Sequence, residues 1–140
     1  MIIEKAFYLR NDVVQIGLEL LGTILHTRVD NKITSGIIVE TEAYCGANDR
    51  ASHAYPGKLT KRNKIMFEAG GRAYLYLIYG IHYLFNIVTN KANMADAILI
   101  RAIEPLSGLD TMMQRRGKNS MERLTSGPGI LTQAMGIDKS

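Results

Sequence analysis

The chain has 140 residues, 46% hydrophobic and 21% charged, which suits one globular domain with one core and argues against disorder. It holds no apolar run of about eighteen residues, the length a spanning helix needs, and MIIEKAFYLRND lacks the apolar stretch of a signal peptide. The expectation is an intracellular protein (cytoplasm or nucleoid, or nucleus in a eukaryote) with no membrane partner. Cys45 is the only cysteine, which excludes a disulfide framework and a cysteine-based zinc site, and 17 basic against 13 acidic residues give a net charge of +4, compatible with a polyanionic partner without demanding one.

Residues 11–21, NDVVQIGLELL, predict an amphipathic helix. Asn11 or Asp12 can cap it, Val13, Ile16 and Leu20 fall on one face, and Gly22 sits where a left-handed C-cap is cheapest. TILHTRV then alternates as a strand, DNK turns, and SGIIVETEAY returns antiparallel to it. On the returning strand a period of two puts Ile38, Glu40, Glu42 and Tyr44 on one face, with Val39, Thr41 and Ala43 on the other. The polar loop 45–63 is too long for a simple connector and is suspect as functional. RAYLYLIYG, IHYLFNIVTN and DAILIRAIEP are three further β-rich runs, each closed by Gly, Asn or Pro. Tyr74, Tyr76 and Ile78 share a face of the first, whereas Tyr79, of opposite parity and followed by Gly80, belongs at the turn. Leu109–Arg116 reads as helical with Gly117 ending it. SGPGILTQAMGID starts another helix after Gly127-Pro128-Gly129, and Gly136 closes that one. The whole predicts a single α+β domain over residues 1–140, built on a curved antiparallel sheet.

Two readings of Glu40 and Glu42 stand open. They are wet side chains on an edge strand, or Glu42 is a general base held near Tyr44 and the loop's His53. A paired-carboxylate glycosidase is disfavoured, because neighbours on one strand do not straddle a bond. Glu40, Glu42, His53 and His82 could offer metal ligands, yet no HExxH or close histidine pair is present and no metal is expected. Cys45, with His53 eight residues on, reads as a packing residue before a nucleophile. GGR (70–72) reads as a turn, and GPG (127–129) as a helix start whose free N–H groups suit a phosphate. Tyr44, His53, Tyr74, Tyr76, Tyr79 and Tyr83 are each explicable as amphipathic core; together they also suit a pocket that stacks a planar base. Arg101 interrupts the apolar AILIRAI, where a buried guanidinium needs an acid such as Glu42. Basic residues cluster at Lys58, Lys61, Arg62 and Lys64 and again at Arg115, Arg116, Lys118 and Arg123.

VETEAYCG, SHAYPGKLTKRNKIMF, YLYLIYGIHYLFNIV, ILIRAIEP and SGPGILTQAMGI stand in the order and spacing of the alkyladenine (3-methylpurine) DNA glycosylase family. The resemblance covers nearly the whole chain. It implies a single α+β domain with a partly open, barrel-like sheet, a protruding β-hairpin for DNA, no metal or other cofactor, and a monomer. By the same resemblance Glu42 is the base that activates water, and Arg101 helps hold that water and the glutamate. Tyr44, His53 and Tyr76 sandwich the flipped base, and Asn86 disfavours guanine. Tyr79 at a hairpin tip fills the gap left by the extruded nucleotide, with Ile81 and Arg62 as further DNA-binding residues. Where the family has Thr-Pro-Arg-Asn this chain has TKRN, with Lys61 for proline. Family members continue past the GPG helix, so this chain is expected to lack the usual C-terminal part.

The implied activity is hydrolytic removal of alkylated or deaminated purines (3-methyladenine, 7-methylguanine, hypoxanthine, ethenoadenine) from double-stranded DNA. The chemistry of the residues agrees with it. Flipping a base costs a few kcal/mol, and an aromatic pocket favours positively charged alkylated purines. No lysine falls in the pocket motifs, which predicts a monofunctional enzyme without strand cleavage. Two alternatives remain: a lesion- or DNA-binding module without turnover, and a metal-dependent hydrolase.

Overall fold

A computed structural model describes residues 1–46, 61 and 63–138. His53, Arg62 and most of the 45–63 loop lie outside the described residues. The elements are α1 (Lys5–Tyr8), α2 (Val13–Leu20), β1 (Ile24–Val29), β2 (Lys32–Tyr44), a 3-10 turn (Lys64–Phe67), β3 (Ala73–Ile78), β4 (His82–Thr89), β5 (Asp96–Ser107), α3 (Leu109–Arg116) and α4 (Pro128–Met135). The strands pair in the order β1-β2-β5-β4-β3, with β1–β2 and β4–β5 antiparallel. The α+β class and the antiparallel sheet read from the sequence are therefore present. β2 lies between β1 and β5 in the sheet, but its pairing with β1 runs only from Lys32 to Ile37, so Glu40 and Glu42 lie beyond that partner and both readings of them stay open.

The chain groups into two compact units. One comprises Met1–Glu19, Glu42–Tyr74 and Asn86–Leu99. Here Asp12 caps α2, its carboxylate accepting from the Gln15 N–H at 3.1 Å, and Val13 and Ile16 are buried as the helical spacing demands. Met66, Tyr74, Ile87, Val88, Ile98 and Leu99 complete this core. Backbone bonds knit it across long separations: the Asn90 N–H donates to Tyr8 O at 2.7 Å, and that of Gly70 to Asn90 O at 2.8 Å. Gly70 is required there, because a Cβ would lie 2.4 Å from Tyr8 O and 2.9 Å from Thr89 Cα. The short helix α1 is not signalled by the sequence; its four residues bury nothing fully.

The other unit comprises Leu20–Thr41, Leu75–Phe85 and Ile100–Ser140. The hairpin β1–β2 turns at Asp30 and Asn31, both left-handed (φ 52° and 63°), the two-residue turn whose twist matches the strands. Pairing starts at Val29↔Lys32, so β2 begins three residues before the expected Ser35. Thr27 faces Thr34 in this register. Thr27 Oγ1 donates to Met135 O at 2.7 Å, so the Thr34 hydroxyl, 2.7 Å away, is the donor between the two threonines. Ile38, Ile100, Ile103, Met112, Leu131 and Met135 fill the core. α3 has the bounds read from the sequence, and both helices have the left-handed glycine ends expected, Gly117 and Gly136; α4 starts at Pro128, inside the Gly-Pro-Gly rather than after it. β5, by contrast, runs through Pro105 to Ser107 rather than stopping at the proline. Ser107 is held by the Ser35 hydroxyl at 2.6 Å, and a proline is tolerated in a strand where no ladder donor is called for.

Candidate active site

β2 carries the two glutamates out of its buried middle. Ile38 is buried, Glu40 is exposed, and Glu42 and Tyr44 are half-buried. The Tyr44 hydroxyl donates a hydrogen bond to Glu42 Oε1, which the two-residue period of a strand makes possible. Glu40, two residues earlier, is exposed to water. Past the end of the strand at Tyr44 come Cys45, which is exposed rather than packed, and Gly46, whose φ of 51° is left-handed. A Cβ on Gly46 would meet Met94 O at 2.2 Å and Asp96 Oδ1 at 2.9 Å. The chain directly after Tyr44 is thus held by a close backbone approach that only glycine permits.

Asp96 is 5% exposed and accepts from Asn90 Nδ2 at 3.0 Å. Burial pushes its carboxyl up from the usual range, and the Asn90 hydrogen bond works against that shift. Asn90 is itself left-handed, φ 69°, with its Oδ1 accepting from the Lys91 N–H at 2.8 Å. Sequence reading passed over this pair. The available signal was an acid opening the apolar run AILI, where a carboxylate must find a donor. Asn86, three residues into the β4–β5 ladder from Asp96's partner Thr89, pairs with Leu99. It is 3% exposed, and its side-chain amide donates to Tyr74 O at 3.3 Å, which fixes the orientation of a buried polar group.

In the second unit, Tyr76 on β3 and Arg101 on β5 are both half-buried. Arg101 is therefore less enclosed than the apolar run around it implied, although Ile100 and Ala102 on either side are buried. Tyr79 and Gly80 form the turn between β3 and β4. Both are left-handed (φ 51° and 68°), and the Ile81 N–H closes the turn on Ile78 O at 3.1 Å. Tyr79 is 91% exposed and Ile81 73%. A large aromatic at a left-handed position, almost wholly in water, costs backbone strain and gains no packing in return.

The structure thus brings Glu42 and Tyr44 into contact, anchors Asn86 on Tyr74, and sets Tyr79 and Ile81 together at a hairpin tip. Among the described residues no group of three His, Cys, Asp or Glu is assembled that could hold a metal, and no helix is long and apolar enough to cross a membrane.

Residues 6–140 match the methylpurine-DNA glycosylase (MPG) family. The chain belongs to that family. It is 47% identical over 137 residues to a Chlamydia felis protein provisionally named 3-methyladenine DNA glycosylase, an alignment covering 96% of this chain and 71% of that one. A protein of Natranaerobius thermophilus under the same provisional name is 45% identical, over 95% of this chain and 68% of its own. A third, from Carboxydothermus hydrogenoformans, is 47% identical over 99% of this chain and 71% of its own. A methylpurine-DNA glycosylase acts on DNA, and the resemblance read from the sequence motifs is the family that the whole chain matches.

Proposed function

We propose that the protein is a monofunctional glycosylase that flips alkylated or deaminated purines out of duplex DNA and removes them by hydrolysis. The hydrogen bond from Tyr44 to Glu42 carries this reading, because it couples an aromatic ring able to stack a base to a carboxylate able to take a proton. Glu42 serves as general base, accepting a proton from the water that attacks C1′ of the sugar, while the bond from C1′ to the purine nitrogen breaks and its electron pair leaves with the base. A carboxylate near the developing sugar cation lowers the barrier further. Arg101 assists by holding the water. Tyr44 and Tyr76, with His53, stack the base, and cation–π attraction favours cationic 3-methyladenine and 7-methylguanine. Hypoxanthine and ethenoadenine are further substrates in this reading.

Asn86, fixed by its bond to Tyr74 O, is the group that rejects the 2-amino group of guanine. Tyr79 occupies the gap left in the duplex, with Ile81 beside it and Arg62 on the backbone. The exposure and strain of Tyr79 support this role, since strain persists where a function maintains it. The protein works as a monomer without cofactor.

The deciding experiment incubates the protein with duplexes containing 3-methyladenine or hypoxanthine and reads free base together with alkali-labile abasic sites. Base release that disappears in Glu42→Gln is expected, with no strand cleavage before alkali. Release that persists in that variant removes Glu42 from its role, and salt-sensitive binding without release by the parent protein favours a binding module instead.

A further inference from the structure

A groove of about 540 Å³ runs beside α4 in the second unit, from Ile81 and His82 at the hairpin to Arg115, Gly136 and Ile137. At the hairpin end His82 packs on Gly129, where a Cβ would lie 2.9 Å from His82 Cβ. At the far end the Arg115 guanidinium lies against Gly136, where a Cβ would come within 2.9 Å of Cζ. Arg115 Nη1 donates to Ala134 O at 3.0 Å and to Thr34 Oγ1 at 3.4 Å. Its Nε and Nη2 have no acceptor among the described residues, and the side chain is half-buried rather than sealed. No carboxylate among the described residues lies within ion-pair distance of it. Asp138, the other charged residue of the groove, is exposed at its rim.

Arg116 next to it makes an instructive contrast. Its Nε, Nη1 and Nη2 are spent on Leu124 O, Gln133 Oε1 and Arg123 O, so it is a structural clamp. Arg115 keeps half of its fork free. One carbonyl, one hydroxyl and the C-terminal end of α4, equivalent to about −0.5 charge, do not neutralise a full positive charge. What is left is an oriented guanidinium with unspent donors, the geometry that suits a phosphate.

We propose that this groove receives the sugar–phosphate backbone of bound DNA, with Arg115 as the ligand of one phosphate at its far end. The proposal rests on the reading of the protein as a DNA glycosylase and adds a contact beyond the hairpin. From Gly129 to Gly136 the helix rises roughly 10 Å. With one phosphate per strand about every 3.4 Å of duplex axis, a strand passing the hairpin has phosphates level with Arg115. The contact is to backbone only, so it strengthens binding to damaged and undamaged duplexes alike.

The test is the salt dependence of binding to a labelled duplex, followed by fluorescence anisotropy, with and without a lesion. Arg115→Gln is expected to reduce the slope of log K against log salt by about 0.9, one phosphate contact, and to weaken both duplexes equally. Because Arg115 also braces Ala134 and Thr34, Val29→Glu is the second variant: it sets a carboxylate in the groove and leaves those bonds in place. It should weaken both duplexes severalfold with an unchanged melting temperature. Slopes and affinities unchanged in both variants overturn the groove while leaving the DNA reading intact. A parent protein that binds no duplex overturns both.

Discussion

The Tyr44 hydroxyl donates to Glu42 Oε1 from two residues further along the same strand. Glu42→Gln should lower base release about 10²–10⁴-fold, the usual contribution of a general base, with binding of the lesion retained. Tyr44→Phe keeps the ring and removes only a hydrogen bond to a carboxylate, worth about 1.5–3 kcal/mol, so turnover should fall about 10–150-fold. Single-turnover kinetics on a hypoxanthine duplex separates the two. Equal losses in both variants would mean that the hydroxyl does more than orient the carboxylate.

Tyr79 predicts opposite signs for stability and function. It is left-handed and 91% exposed, so Tyr79→Gly removes strain of about 1 kcal/mol and forfeits no packing. The melting temperature should hold or rise. Affinity for a lesion duplex should fall about 5–150-fold, the range of one stacking contact of about 1–3 kcal/mol. Thermal melts and anisotropy on one preparation check both.

Asp96 gives the pH prediction. Its folded carboxyl titrates above its usual range because it is buried, so the folded state holds that proton more tightly than the unfolded chain. Stability from this group is present below the unfolded value and declines as pH rises through the window up to the raised folded value. Asp96→Asn removes the buried charge. Its urea midpoint should lose the downward slope that the parent shows over that window, and denaturation curves at successive pH values read it directly.

Gly46→Ala tests the support under Tyr44. A left-handed alanine costs about 1–2 kcal/mol, and its Cβ would meet the Met94 carbonyl at 2.2 Å, a backbone atom that cannot swing aside. The variant should be less stable and should lose activity out of proportion to its unfolded fraction. Activity measured well below its melting temperature makes the distinction.

Local pattern made much of the fold readable. The cap of α2 at Asp12, the shared face of Glu42 and Tyr44, and the tyrosine at the Tyr79-Gly80 turn all follow from short-range periodicity and turn chemistry. The unread parts depend on partners distant in sequence. Pro105 looked like a stop because nothing local reveals that Ser35 holds Ser107 across 72 positions. α1 has too few residues for a period, and the buried pair of Asn90 and Asp96 has meaning only once Gly46 is folded over it. The candidate site rests chiefly on resemblance to a family, since neither strand period nor composition distinguishes a reagent glutamate from a wet one.

The bond from Thr27 to Met135 joins positions 108 residues apart, and it bears on how the chain is made. The β1–β2 hairpin leaves the ribosome well before α4, which carries the Met135 carbonyl that Thr27 needs. Until α4 emerges, the Thr27 hydroxyl has no Met135 carbonyl to donate to, and that part of the hairpin is exposed to misassociation. Closing such distant contacts is slow compared with helix formation. Packing of the hairpin therefore waits on α4.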